Sequence, residues 1–384
     1  MRRTLGAWMA HTPDWHILDT SFVNGDSGLA LPARTTALNG ASLEIQNLDR
    51  SDPPGYRPGG VPRSADFNRN LFHLGSAPCM PAIPVQCAVA GFDPATSPIY
   101  WRLVCRHLLC RYRNTGAYRY QSICETFERE WRGQSRSASF TIFGDATADC
   151  SCTYSDQSRV LGGHALLEVA AHAGTATLAD YVHLRIGGTN PSVDDVCNYL
   201  HSQWSGFDRN TLYMLQAVFR HESRSTQFNN KPQGSARMTF TKMYHDNASQ
   251  PDCTVQLTWP ADPAHFPLAS FDFGVGISQF TEVGSQKVTA EIAWDWRENV
   301  RQSANLFLGK LQHQFTPGMT WMEWAMKAWA AYNGSGPRAQ QYAQEVAKTS
   351  EAAKVSTQPV PALPTIAQLP PLPPLQPPGE WLLA

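Results

Sequence analysis

No apolar run in this chain of 384 residues approaches the roughly 20 that a membrane helix requires, so no membrane span is expected. A formal net charge of −1 gives no bulk reason to expect nucleic acid, whose backbone calls for a basic stripe. It says little about anionic cell walls, where any attraction would have to be local. Met1 to Ala10 opens with Arg2 and Arg3 but has no adequate apolar stretch before His11, Pro13 and Asp14, and does not read as a secretory signal. Neither Cys105-x4-Cys110 nor Cys150-x-Cys152 is a paired C-x2-C with a matching second half, which argues against a zinc cluster.

Cysteine itself is not scarce. Nine are present (Cys79, Cys87, Cys105, Cys110, Cys124, Cys150, Cys152, Cys197 and Cys253), a number that fits disulfides in an oxidising compartment with at least one left over. Scattered, reduced, buried thiols are the alternative. Twelve tryptophans include Trp294 and Trp296, whose rings could stack on sugar faces, although packing is the expected role at this density.

The length suggests two domains plus linkers, and 42% hydrophobic residues suffice for packed cores. Residues 1–95 are rich in Gly, Pro, Ser and Asn and read as irregular structure with short strands. Residues 96–192 switch to a period of two and read as a β-rich module, with an Ig-like sandwich as the expected form. Within it Leu167–Ala170 and Thr175–Leu178 form a hairpin about Gly174, and Val182, Leu184 and Ile186 face away from His183 and Arg185.

Residues 193–350 read as helical. Leu212, Leu215, Val218, Phe219 and Glu222 share one face, with Asn210 available as N-cap. Val300, Ala304, Phe307, Leu308 and Leu311 form a second stripe. Thr320 to Glu323 is a capping box before Trp321, Trp324, Ala325, Ala328 and Trp329, and Pro337 opens a further helix. Residues 351–384 form a proline-rich tail expected to be extended, a linker or a docking peptide. The fold class is therefore α+β, β-rich first and mainly helical after.

Glu222 is the residue with chemical promise. It lies on the core-facing stripe, where an isolated carboxylate is costly unless paired or functional. Burial against apolar groups keeps a carboxyl protonated near neutral pH, as a sugar-cleaving acid requires. By spacing alone, a helix-end glutamate that escapes to solvent is the simpler reading. Three further strings reverse it: Gly274-Val275-Gly276-Ile277-Ser278-Gln279, Asn299-Val300, and Ala331-Tyr332-Asn333-Gly334-Ser335-Gly336.

In that order, after Glu222-Ser223, these strings resemble the lytic transglycosylase and goose-type lysozyme family, over roughly residues 198–347. Ile277 and Ser278 stand where the family has Leu-Met, and the interval from Glu222 to Gly274 is longer than in minimal members. The resemblance implies a lysozyme-like domain that cuts the glycan strands of peptidoglycan, with no metal or cofactor. It implies Glu222 as general acid and then base. Ser223 and Gln279 would touch the sugar, and Gly274 and Gly276 would let backbone approach it. Tyr332 would hydrogen-bond near the acid, and Asn333 would shape the cleft.

A lone carboxylate implies that the substrate's N-acetyl oxygen attacks the anomeric carbon and that the product carries a 1,6-anhydro ring. A hydrolase (muramidase) would instead need a second carboxylate to hold water, for which Asp272 and Asp246 are the candidates. A non-catalytic glycan-binding or structural protein is the reading from another class. The expected place of action is the bacterial periplasm or cell wall. Without a recognised signal, delivery would fall to a secretion system or a phage particle, consistent with an antibacterial protein. The added stretch, about residues 230–268, is expected to form a β-excursion beside the groove.

Overall fold

The computed structural model describes residues 34–52, 70–114, 120–143, 160–204, 206–230, 237–240, 255–258, 264–269, 274–281 and 286–361, with backbone alone at 108, 110–114, 120–126, 237–240 and 255–258. Two sheets share the first core. One runs in the order β1 (Ala37–Leu38), β2 (Ala41–Ile45), β4 (Ile83–Ala90), β7 (Ser139–Ile142), antiparallel throughout, with Ala41, Leu43 and Ile45 turned inward.

The other runs β3 (Leu71–His73), β9 (Ala176–Gly187), β8 (Gly163–Ala173), β5 (Ile99–Asn114), β6 (Tyr120–Ser135). Leu43, Ile45, Ile83 and Val85 of the first sheet meet Leu167, Val169, Leu178 and Val182 of the second in one apolar cluster. At roughly 1.5–3 kcal/mol per fully buried aliphatic side chain, this contact anchors the β half.

The first sheet spans residues 37–142, so composition places a boundary at 95/96 that the strands ignore. β3 pairs in parallel with β9, so the second sheet is mixed. The polar face of β9 is covered. His183 lies 3.5 Å from Asp52, and the Arg185 guanidinium sits 5.2 Å from the Phe266 ring centroid while donating to the Ala264 carbonyl. The hairpin is as expected, with Ala173 opposite Ala176 and Gly174 at φ 64°.

The helices are α1 (Val193–Gln203), α2 (Arg209–Ser223), α3 (Ala290–Trp294), α4 (Trp296–His313), α5 (Trp321–Asn333) and α6 (Pro337–Val346), followed by a 3-10 turn at Ala352–Lys354. The apolar stripes of α2, α4 and α5 meet in a second core, where Trp324 Nε1 donates to the Leu311 carbonyl and Trp329 Nε1 to that of Met214. The capping box of α5 forms, with Thr320 and Glu323 exchanging hydrogen bonds, and Pro337 opens α6. The N-cap of α2 is Asp208 rather than Asn210. Asp208 reaches the Asn210 amide at 2.7 Å, and the Asn210 carboxamide instead accepts from the Ser356 amide.

The tail begins later than its composition suggests. Val355 and Val360 are buried in the helical core, and the Val360 amide donates to the Met319 carbonyl. Residues 362–384 lie outside the described residues. The added stretch does contain a hairpin, β10 (Arg237–Phe240) antiparallel to β11 (Val255–Thr258). Trp294 and Trp296 are core residues, the latter donating to the Ser76 carbonyl.

The disulfide expectation is corrected at three positions. Cys87 and Cys105 are buried free thiols and Cys197 is a half-buried one. Apolar surroundings push Cys87 up to about 12 and Cys105 further, so both behave as small hydrophobes. Backbone register sets Cys110 opposite Cys124. Among the described residues no helix is long and apolar enough to cross a membrane.

Candidate active site

Glu222 is the penultimate residue of α2, half-buried where the helix ends. The end is sharp: Arg224 and Ser225 both take left-handed backbone, at φ 57° and 63°, and the Arg224 amide closes the last turn on Arg220 and Phe219. Ser223 fixes where that end goes. Its hydroxyl donates to the Ile277 carbonyl at 2.7 Å and accepts from the Thr226 amide at 3.0 Å.

The Gly-rich string is a tight hairpin. Val275 and Phe280 exchange both backbone hydrogen bonds at 3.0 Å, and Gly276 to Gln279 make the turn. It is clamped between the cores, since Val275 packs in the β half and Ile277 in the helical half. Two buried carboxamides hold it from behind. Gln227 accepts from the Ile277 amide and donates to the carbonyls of Ile292 and Ala293. Asn299, fully buried in the first turns of α4, donates to the carbonyls of Val275 and Ile292 and accepts from the Ser278 amide and hydroxyl. From α5, the Tyr332 hydroxyl lies 3.5 Å from the Ser278 carbonyl. The four strings picked out in the sequence thus meet at Ile277-Ser278.

The roles expected of individual residues shift. The space left by the missing Cβ of Gly276, at φ +73°, is filled by Gln227 and Asn299, and that of Gly274 by Gln279. Both glycines therefore have a packing reason within the protein. Ser223 is engaged as a tie. Gln279 takes left-handed backbone at φ 50° and turns its Nε2 back onto the Gly276 carbonyl at 2.8 Å, while its Oε1 is buried with no hydrogen-bond partner. Asn333 is the exposed last residue of α5, which Lys310 closes by donating to the carbonyls of Ala331 and Tyr332. Asp272 and Asp246 lie outside the described residues.

A direct contact to the Glu222 carboxyl comes from α6. Tyr342 of α6 donates its hydroxyl to Glu222 Oε1 at 2.5 Å. Tyr332 is close enough for the Glu222 charge to act on it: its phenol is raised by burial first and by that charge second, against a hydrogen bond with Ser303. The two tyrosine rings stack with centroids 6.5 Å apart, and His221 meets the edge of Tyr342 at 5.0 Å. Burial lowers His221 from its ordinary range, opposed by Glu345.

Comparison with protein-family models, with curated proteins and with solved structures returns no match. A half-buried carboxyl, held by one phenol and faced by a second, can donate a proton and then carry the resulting charge. A cleft of about 490 Å³ opens elsewhere, between α5 and α6, lined by Met326, Ala330, Gly334, Gln340 and Gln344 among others, and includes neither Glu222 nor the hairpin. Tyr342 and Gln227 were missed in the sequence. Tyr342 is the lone aromatic of a polar helix, and that was the available signal.

Proposed function

We propose that this protein is a peptidoglycan lytic transglycosylase with a lysozyme-like helical domain, in which Glu222 is the single acid and base. The observation that carries the reading is the meeting of the four strings at Ile277-Ser278, beside a carboxyl engaged by Tyr342. Sequence proximity cannot produce that meeting, because the first and last strings, at Glu222 and Tyr332, lie 110 positions apart (332 − 222).

On this reading Glu222 gives its proton to the oxygen bridging MurNAc and GlcNAc, and the N-acetyl oxygen of the substrate attacks the anomeric carbon as that bond breaks. Glu222, now ionised, takes the proton of the C6 hydroxyl, whose oxygen displaces the N-acetyl group and closes the 1,6-anhydro ring. The proton count balances, and no second carboxylate, metal or cofactor is needed. The site of action would be the periplasm or cell wall. A secretion system or phage particle would be the delivering partner, and an antibacterial role follows from that.

The test compares the wild type with Glu222→Gln on purified peptidoglycan, measuring release of soluble fragments and retention on the insoluble wall. The substitution should abolish release and leave retention near the wild-type level. Equal release by both proteins would sink the reading. Retention without release by either would favour a glycan-binding protein.

A further inference from the structure

We propose that Cys110 and Cys124 form a cross-strand disulfide that pins the outer half of the β5–β6 ribbon. The bond is independent of glycan cleavage, and its test needs no substrate. β5 and β6 pair without interruption from Ile99 opposite Ser135 to Asn114 opposite Tyr120, and Cys110 falls directly opposite Cys124. Opposed residues of an antiparallel pair have Cα atoms about 4.5 or 5.5 Å apart, according to the kind of pair they form. Both values lie inside the span of roughly 4.4–6.8 Å that a disulfide bridges.

The position in the sheet gives such a bond something to hold. β8 pairs with β5 only from Tyr100 to Arg106. Beyond Arg106, among the described residues, β5 is paired with β6 alone as far as Asn114. A two-stranded ribbon by itself is marginally stable in water. The two cysteines sit midway along this overhang, four pairs past Arg106 (110 − 106) and four short of Asn114 (114 − 110). A cross-link there ties the strands where β8 no longer supports them, and it restricts the opened ribbon to few conformations.

The other cysteines in strands have different neighbours. Cys105, also on β5, stands opposite Arg129, is fully buried, and donates its thiol to the Leu161 carbonyl at 3.4 Å. Cys87 of β4 stands opposite Ile45. Among the described residues no other two cysteines are opposed in a ladder. By strand alternation Cys110 falls on the face of β5 away from Leu103, Cys105 and Leu109, the residues that join the first core.

The oxidant is itself a disulfide, carried by a small molecule or by an oxidoreductase. One cysteine attacks it as thiolate, forming a mixed disulfide and expelling one thiolate; the second cysteine attacks that mixed disulfide and expels the other. The cysteine pair is oxidised, the oxidant's disulfide is reduced, and both protons pass to the released thiols. Such a bond forms and persists in an oxidising compartment.

The experiment takes the full chain through a buffer of oxidised and reduced glutathione, alkylates it without reductant, then denatures it and digests it with trypsin. Cuts after Arg106, Arg111, Arg119 and Arg129 separate His107–Arg111 from Tyr120–Arg129. The wild type should yield these two peptides linked, and reduction should part them. Both peptides alkylated, or either one joined to a peptide bearing a different cysteine, would overturn the proposal. Cys110→Ser should leave Cys124 open to alkylation, and Cys124→Ser should do the same for Cys110.

Trypsin applied to the native protein tests the pinning. Reduced wild type should be cut at Arg111, Arg113 and Arg119 roughly ten- to a hundredfold faster than oxidised wild type, because the tether limits opening of the ribbon. The double variant should match either single variant, since only one bond is lost. Equal cutting of oxidised and reduced wild type would overturn the claim that the bond pins the ribbon. Those two forms differ in no residue, so their comparison decides the matter even where a variant does not fold.

Discussion

The Ser223 hydroxyl reaches the Ile277 carbonyl at 2.7 Å, joining the residue after the acid to the apex of a hairpin more than fifty positions away. This bond sets the distance between the end of α2 and the turn, and so fixes where Glu222 stands relative to everything opposite it. The same hydroxyl also accepts from Thr226, so one side chain both ends the helix and docks it.

Ser223→Ala removes the tie and leaves the Ile277 carbonyl without its donor. A loss of about 1–2 kcal/mol in stability is expected by thermal or denaturant unfolding. Fragment release should fall by roughly ten- to a hundredfold from misplacement of the acid. A variant with unchanged release would mean that the tie does not position Glu222.

Asn299 is the more demanding position, since its buried carboxamide satisfies two carbonyls, an amide and a hydroxyl together. Asn299→Leu leaves those groups unpaired and should cost about 3–5 kcal/mol in denaturant unfolding. A cost near that of a surface substitution would contradict the role assigned to it.

Gly276 and Gly40 offer a controlled comparison, because both take left-handed backbone, at φ 73° and 77°. A Cβ on Gly276 would lie 2.4 Å from the Gln227 oxygen and 2.6 Å from the Asn299 nitrogen, whereas Gly40 has nothing within 4 Å. Gly40→Ala should cost about 1–2 kcal/mol, the strain alone. Gly276→Ala should cost several kcal/mol and perturb the turn, which unfolding curves of the two variants will distinguish.

Much of this was legible in the sequence, for reasons that differ by element. The stripes of α2, α4 and α5 repeat at helical spacing, so their buried faces could be named residue by residue. The capping box at Thr320 and the proline at 337 are local signals, and both hold. The β half was less legible. β8 and β9 are covered on both faces, so the alternation that marks a half-exposed strand does not report what lies on the polar side. The pairing of β4 with β2 and β7 is a long-range event that no local pattern encodes. At the site, the strings marked the place but not the contacts. Tyr342 reaches Glu222 only through the packing of α6, and the glycines that suggested a sugar surface are explained by Gln227, Asn299 and Gln279.

Acid should weaken the fold through its buried imidazoles. Burial lowers His107 to about 3, and His164 and His183 to about 4, and both ring nitrogens of His107 lack a hydrogen-bond partner. The folded state thus favours the neutral rings, while the unfolded chain takes up protons from about 6.5 downward. This contribution is complete above that pH and is lost progressively as pH falls toward 4 and then 3. His107→Leu should flatten the decline by a few kcal/mol across the window, about 1.4 per pH unit. A slope unchanged by that substitution would rule the assignment out.

The mass of the fragments released from purified peptidoglycan is the measurement that tests Glu222 most directly, with Glu222→Gln run beside the wild type. The account predicts anhydro-ended muropeptides from the wild type and none from the variant. Reducing ends, released by the wild type and lost in the variant, would contradict the single-carboxylate mechanism and turn attention to Asp272 and Asp246.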